Sequence, residues 1–428
     1  MIRQAGDCPV RTRPFPPYHT LDENEERAVV QVIRDGVISD FIGAKGPFFM
    51  GGKKVQELED MYRRRCGVKH AVAMNSATSV IIAAMGAFGI GPGDEVIVTP
   101  YSHVISATAP LLYDAVPVFA DSEPDTFCMS PRGIEERITP RTKAIIVVDL
   151  FGQSADMDPI MELAQRHNLF VFSDSAHITK ARYKDRMAGT LAHIGSYSLN
   201  GHKTVQCGEG GVAVTDDDEL AFKLQLIRNH AENCVAAYNV DHYPNMLGYN
   251  FRMTELEAAV AVEQLKKADR LVEDRRALAA YLDDALTGLA GITVPKVRDG
   301  CTHDYLIYPL LYDRNEIGLP RDEFLRRLDA EGINTSPVGE WHVPPVSTFV
   351  KPIHLQPIFQ KRHFRPGGHP WRASYYQGQV CYEEGICPVV EDLWRNSLIC
   401  FNAIYPPLTT ADMDDVAAAF RKVAASNR

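Results

Sequence analysis

The sequence has no apolar run approaching the roughly 18 residues that a membrane-spanning helix requires, so no membrane partner is expected. It lacks a basic surplus: 45 Lys and Arg against 55 Asp and Glu leave a formal net charge of −10. A protein that grips nucleic acid by its phosphates carries the opposite balance, so no nucleic-acid partner is expected either. Nine cysteines occur without a single C-x-x-C, and the one close pair, Cys381 and Cys387, has no histidines at finger spacing. Neither a metal site nor a disulfide framework follows, and the expectation is reduced thiols in a cytoplasmic protein. The stretch MIRQAGDCPVRTRPFPPYHT is polar and proline-rich and has no apolar centre of the kind secretion signals use.

Several catalytic signatures are missing too. GSYSLNGHKT comes near a P-loop, but His202 separates Gly201 from Lys203. GIGPGD (89–94) is not G-x-G-x-x-G and precedes a strand instead of following one, which argues against a nicotinamide oxidoreductase. G-x-S-x-G and H-E-x-x-H are absent.

What is present is ordinary globular material, 428 residues with 45% apolar and 23% charged side chains, enough for two or three domains. HAVAM (70–74), EVIVT (95–99), PVFAD (117–121), KAIIVVDL (143–150), LFVFSD (169–174), IGSYSL (194–199) and GVAVT (211–215) read as short buried strands. Helix-like stretches such as 55–65, 79–88 and 158–167 lie between them. That alternation predicts an α/β fold with a mainly parallel seven-stranded sheet covered by helices on both faces. Residues 253–286 contain neither Gly nor Pro and read as one long helix leading out of the sheet domain. The boundary falls at 255/256: a large α/β domain with an N-terminal arm over 1–255, then the linking helix and a smaller α+β domain over 256–428. In the second part, 303–313 reads as a strand and 321–332 and 412–426 as helices. Residues 336–395, rich in Pro, His and aromatics, read as long loops near a binding site and not as core.

One constellation carries chemistry. Asp174 ends a buried strand in FSDSAH; Ser198 stands five positions before Lys203 (203 − 198 = 5), and CGEGG (207–211) follows the lysine. The 29 residues from 174 to 203 leave room for a loop, a strand and a turn, so both groups fit the carboxyl ends of neighbouring strands, where α/β sheets bind ligands. These are the parts pyridoxal 5′-phosphate (PLP) requires: an amine for its aldehyde, a carboxylate for its ring nitrogen, and a helix amino terminus with hydroxyls for its phosphate. NSATSVIIAAM (75–85) supplies that helix.

From about residue 16 to its end, the chain resembles the DegT/StrS group of sugar aminotransferases, PLP enzymes of fold type I. The resemblance rests on GPGDEVIV (91–98), DSAH, S-x-x-x-x-K, GEGG, RNH (228–230) and GYNFRMTELEAA (248–259), in that order. It implies Lys203 as the Schiff-base lysine and proton shuttle, Asp174 as partner of the pyridine nitrogen, and His177 beside the phenolic oxygen. It implies Ala77, Thr78 and Ser198 at the phosphate, His103 stacked on the ring, and Asn250 reaching the phosphate of a partner subunit in a homodimer with shared active sites. Three positions depart from the family pattern: Ala77 replaces a glycine, His103 an aromatic residue after a one-residue deletion, and Gln206 a threonine. SLNGHK also echoes relatives that carry His for Lys and act as sugar dehydratases, but here the spacing lands on Lys203. A non-catalytic regulatory relative is the alternative from another class.

The implied reaction is a ping-pong transfer from glutamate or glutamine, through the pyridoxamine phosphate form, to a ketone on a nucleotide-linked sugar or a cyclitol. FFMGGKKVQELE (48–59) resembles the entry segment of the cyclitol and aminohydroxybenzoate branch. Arg228, His230 and Arg252 are candidates for substrate contact or simple charge pairing. His303 and His342 are candidates for the pocket wall.

Overall fold

A computed structural model describes residues 8–230, 236–240, 243–333 and 345–426. The large sheet is built from β1 His70–Met74, β2 Glu95–Val98, β3 Val116–Phe119, β4 Thr142–Val148, β5 Phe170–Asp174, β6 Ile194–Ser198 and β7 Gly211–Thr215. Their spatial order is β1-β7-β6-β5-β4-β2-β3, and only β7 runs against its neighbours. The period-2 rule explains why these segments are almost wholly apolar. In β1, Val72 and Met74 enter one core while Ala71 and Ala73 enter the core on the opposite face. Both faces are covered, so neither can be polar.

Helices α1 Glu23–Asp35, α2 Lys53–Cys66, α3 Ala77–Ala87, α4 Ile105–Leu112, α5 Met157–His167, α6 Asp218–Arg228 and α7 Glu255–Leu286 surround this sheet. The last is one unbroken helix of 32 residues, opened by a capping box between Thr254 and Glu257. Its first half, through Ala258, Ala261, Val262 and Leu265, packs into the core shared with α2. Its second half, through Leu278, Leu282 and Leu286, packs into the core of the smaller domain. The helix therefore belongs to both cores.

The smaller domain has an antiparallel sheet of β8 Ile292–Thr293, β9 Tyr308–Tyr312, β10 Val346–Ser347 and β11 Leu398–Phe401, in the order β8-β9-β11-β10. Helices α8 Arg321–Ala330 and α9 Thr410–Ala425 cover it. The strand expected over 303–313 is shorter because its first residues bond elsewhere. Asp304 N–H donates to the Gly152 carbonyl at 2.8 Å, and Ile307 N–H to the Phe151 carbonyl at 3.3 Å, which ties this domain to the rim of the large sheet.

The reading of 336–395 as non-core loops needs correction over its described part. Ile353, Phe359, Trp371, Tyr376, Tyr382 and Val390 are buried in the main core. Tyr382 donates its hydroxyl to the Pro117 carbonyl at 2.6 Å, and Tyr376 donates to Glu95 at 2.8 Å. This segment covers β3, an edge strand that would otherwise expose unpaired backbone. Short turns with irregular spacing hide such burial from periodicity. Among the described residues of the segment, Thr348, Phe349 and Val350 fit the expectation, forming part of a cavity wall.

Candidate active site

Asp174 is the last residue of β5 and Ser198 the last of the adjacent parallel β6, so both stand at the carboxyl edge of the sheet. Lys203 follows in a turn where its N–H donates to the Asn200 carbonyl at 2.9 Å. Burial pushes the Lys203 amine down to about 8, with the Asp174 charge pulling the other way. Asp174 is buried, and burial raises its carboxyl above the usual range; the Ala176 N–H, 3.1 Å from Oδ1, and the charges of Lys203 and His103 counter that rise. A lysine amine that loses its proton readily is a nucleophile for an aldehyde.

His177 accepts the Phe151 N–H at Nδ1, 3.1 Å away. Burial, helped by the charge of Lys203, holds this imidazole well below its ordinary value, so the ring is neutral and presents Nε2–H as a donor. Behind Asp174 lies a group not singled out in the sequence. Asp149 is fully buried and accepts from the hydroxyls of Ser175 (2.5 Å) and Ser173 (3.1 Å), and burial raises its carboxyl to about 6. Its own N–H donates to the Asp174 carbonyl at 3.0 Å.

The amino end of α3 completes the edge. Ser76 caps it, accepting the Ser79 N–H at 3.1 Å, while Ala77 and Thr78 are its first residues, whose amides have no intrahelical acceptor. Ser198 pairs with Gly211 across β6 and β7, and a Cβ on Gly211 would collide with the Ala77 backbone nitrogen. The glycine of GEGG is thus what lets the helix start lie directly against Ser198's strand partner. This cradle of backbone amides and a hydroxyl, beside Lys203 and Asp174, fits the phosphate, aldehyde and ring nitrogen of PLP.

Two residues stand apart. His103 is exposed just before α4, near enough for its charge to act on Asp174. Asn250 is exposed as well, and its side chain accepts from Arg252 Nε at 3.0 Å.

A cavity of about 580 Å³ opens on Lys203 and His177. Its wall includes Tyr18, Arg275, Phe349, Asn402 and Tyr405, none of which the motifs indicated. These come from the N-terminal arm, the middle of α7 and the smaller domain, with no local signature to mark them. Asn250 lies outside this lining. His303 is buried, held down to about 3 chiefly by burial, and its Nδ1 accepts the Tyr305 N–H at 2.8 Å. His342 lies outside the described residues. Arg228 is fully buried against Glu59 at 2.6 Å and also donates to the Ala73 carbonyl, so it pins β1 to α2. Arg252 is occupied by Asn250 and the Phe41 carbonyl, and the His230 N–H donates to the Tyr249 carbonyl.

A seven-stranded sheet with one reversed strand, a lysine and a carboxylate at its carboxyl edge, and a second α+β domain closing a cavity that opens on the lysine define an enzyme of PLP fold type I. Residues 42–369 match the DegT/DnrJ/EryC1/StrS aminotransferase family, and the chain belongs to that family. It is 36% identical over 340 residues to the GDP-perosamine synthase of Caulobacter vibrioides, covering 79% of this chain and 85% of that one. It is 32% identical over 428 residues to the L-glutamine:2-deoxy-scyllo-inosose aminotransferase of Streptomyces paromomycinus, covering 98% and 96%. Among solved structures, DesV of S. venezuelae superposes with a TM-score of 0.77 at 29% identity, covering 94% of each chain. The chain is an aminotransferase.

Proposed function

We propose that this enzyme uses PLP to move an amino group from glutamate or glutamine to the ketone of a nucleotide-linked sugar or a cyclitol, in two half-reactions that share one site. The observation that carries this reading is the pair Lys203 and Asp174: an amine held down to about 8 by burial, in the turn after β6, and a buried carboxylate at the end of the neighbouring β5. Bound PLP supplies an aldehyde that carries the amine and a ring that accepts electrons from the substrate carbon. Lys203 Nζ holds the cofactor and moves the proton at that carbon in each half-reaction. Asp174 keeps the ring nitrogen protonated. His177, with Nε2–H free to donate, would stand beside the phenolic oxygen of the cofactor, and His103 would stack on its ring. Ala77, Thr78 and Ser198 hold the phosphate.

Asn250 completes the phosphate site of a second copy of the chain across a twofold axis. Support for that assembly comes from its exposure outside its own cavity and from exposed apolar side chains, among them Leu247, three residues before it, and Ile38, whose carbonyl accepts the Glu255 N–H at 3.0 Å. Solvent-facing apolar residues in such number favour a covered surface. No helix among the described residues is long and apolar enough to cross a membrane, and eight described cysteines are free, which suits a cytoplasmic enzyme.

The test is to load the protein with pyridoxamine phosphate, add keto sugars and keto cyclitols in turn, and follow the absorbance of the aldehyde form. Return of that band with at least one nucleotide-linked sugar or cyclitol is expected, besides the return that the donor's own 2-oxo acid gives by reversal of the donor half-reaction. Return with 2-oxo acids alone contradicts the proposed acceptor.

A further inference from the structure

Arg275, in the middle of α7, is only 2% exposed and lines the Lys203 cavity. Its Nη1 donates to the carbonyls of Tyr305 (3.3 Å) and Ile404 (3.0 Å). Its guanidinium lies 4.8 Å from the Tyr18 ring centroid and 5.8 Å from that of Tyr405. Tyr18 in turn donates its hydroxyl to the Thr204 carbonyl at 2.5 Å, one residue from Lys203. The group is therefore rigidly placed within one aromatic ring of the reactive lysine's backbone.

Among the described residues its charge has no counter-ion. Nε is buried without an acceptor, and Arg275 forms no ion pair among the described residues. The neighbouring Arg276 is the contrast, paired with Glu273 and Asp304 at 3.1 Å each. Around the cavity the described lining residues include two cations, Lys203 and Arg275, and no carboxylate. A buried guanidinium left without a counter-ion is unfavourable, and a ligand anion that supplies one gains from the same burial. A held, planar guanidinium suits a carboxylate, which it can meet through two parallel hydrogen bonds.

We infer that Arg275 is the subsite for a carboxylate of the amino donor. This rests on the aminotransferase reading above and extends it to how one of the two substrates is held. The donor brings a carboxylate into the chamber of Lys203 whatever the acceptor is. A keto cyclitol carries no anion, and the cofactor phosphate belongs at the start of α3. Prior fixation by carbonyls and tyrosine rings lowers the ordering cost of binding.

The test uses the holoenzyme with Arg275→Gln and Arg275→Lys, measuring each half-reaction separately, together with calorimetric binding of glutarate, a dicarboxylate that cannot react. The expected result is a fall of about 10- to 100-fold in the donor half-reaction and in glutarate affinity for Arg275→Gln, consistent with loss of one charge-assisted contact. Arg275→Lys should recover part of both, and the acceptor half-reaction should stay within about threefold of wild type. In the wild type, replacing glutamate by 4-aminobutanoate or by 2-aminobutanoate removes one carboxylate at a time. One of the two should cost the same factor as Arg275→Gln, and that variant should be indifferent to the replacement. Unchanged glutarate affinity, equal losses in both half-reactions, or wild-type indifference to both replacements overturns the inference. So does a loss confined to the acceptor half-reaction, which would assign the guanidinium to a sugar-linked diphosphate. Should Arg275→Gln fail to fold, Arg275→Lys and the wild-type series decide. Failure of the underlying reading is separate: no reduced PLP adduct would form on wild-type Lys203, whereas glutarate binding would remain measurable.

Discussion

Lys203 and Asp174 hold each other's charge in a place that favours neither. Burial drives the lysine amine down to about 8 and the aspartate carboxyl up, and each opposes the shift of the other. Below about 8 the folded and unfolded chains both carry the Lys203 proton, and between about 8 and 10.5 only the unfolded chain does. Lys203 therefore weakens the fold most below about 8, and its cost fades as pH rises through that window. The amine is free to react over the same range. Covalent uptake of PLP by cofactor-free protein should rise through about pH 8, and Asp174→Asn should move that inflection lower because a raising charge is lost. Stopped-flow absorbance across pH checks this; an inflection near 10.5 contradicts it.

Transamination should suffer more than cofactor uptake in Asp174→Asn. Without a carboxylate the ring nitrogen is no longer held protonated, and the barrier should rise by several kcal/mol, about 10³-fold or more in rate. Single-turnover rates with saturating donor measure this. A variant within about threefold of wild type would leave Asp174 as no more than a turn-capping residue.

Much of this edge is legible in the sequence alone, for a physical reason. Strands buried on both faces must be apolar throughout, so β1 to β7 stood out, and a charged residue ending such a strand, as Asp174 does, has to be answered by function or by a cap. The GEGG signal was legible too, since close approach of Gly211 to Ala77 admits no side chain. Arg275, Tyr18 and Asn402 were not legible. Their place in the cavity arises from long-range packing of the arm, α7 and the smaller domain, and no local period encodes that. Residues 353–390 misled because burial there comes through single aromatic anchors such as Tyr382, not through a repeating face.

Arg228 was ambiguous in sequence and is unambiguous in the fold. It is buried with Glu59, whose carboxyl burial raises even against the guanidinium's pull. Glu59→Gln strands a buried cation and should cost about 3–5 kcal/mol of stability. Urea unfolding followed by circular dichroism measures it. A loss below about 1 kcal/mol would mean that water or a neighbouring carbonyl takes over the charge.

The proposed sharing of sites between two copies makes a prediction that single-chain sites cannot. Lys203→Ala and Asn250→Ala homodimers should each be weak. Random exchange makes about half of the dimers mixed, each with one intact site, so activity should climb to about a quarter of wild type. A flat response, with exchange confirmed by differential tags, would mean that Asn250 serves its own chain or no site.

The central claim is that Lys203 is the residue that holds PLP. Holoenzyme reduced with borohydride, digested and mapped by mass spectrometry tests it most directly. The account predicts one phosphopyridoxyl adduct, on the peptide containing Lys203, with loss of the visible absorbance band. An adduct on another lysine, or none after PLP has been added to the protein, would contradict it.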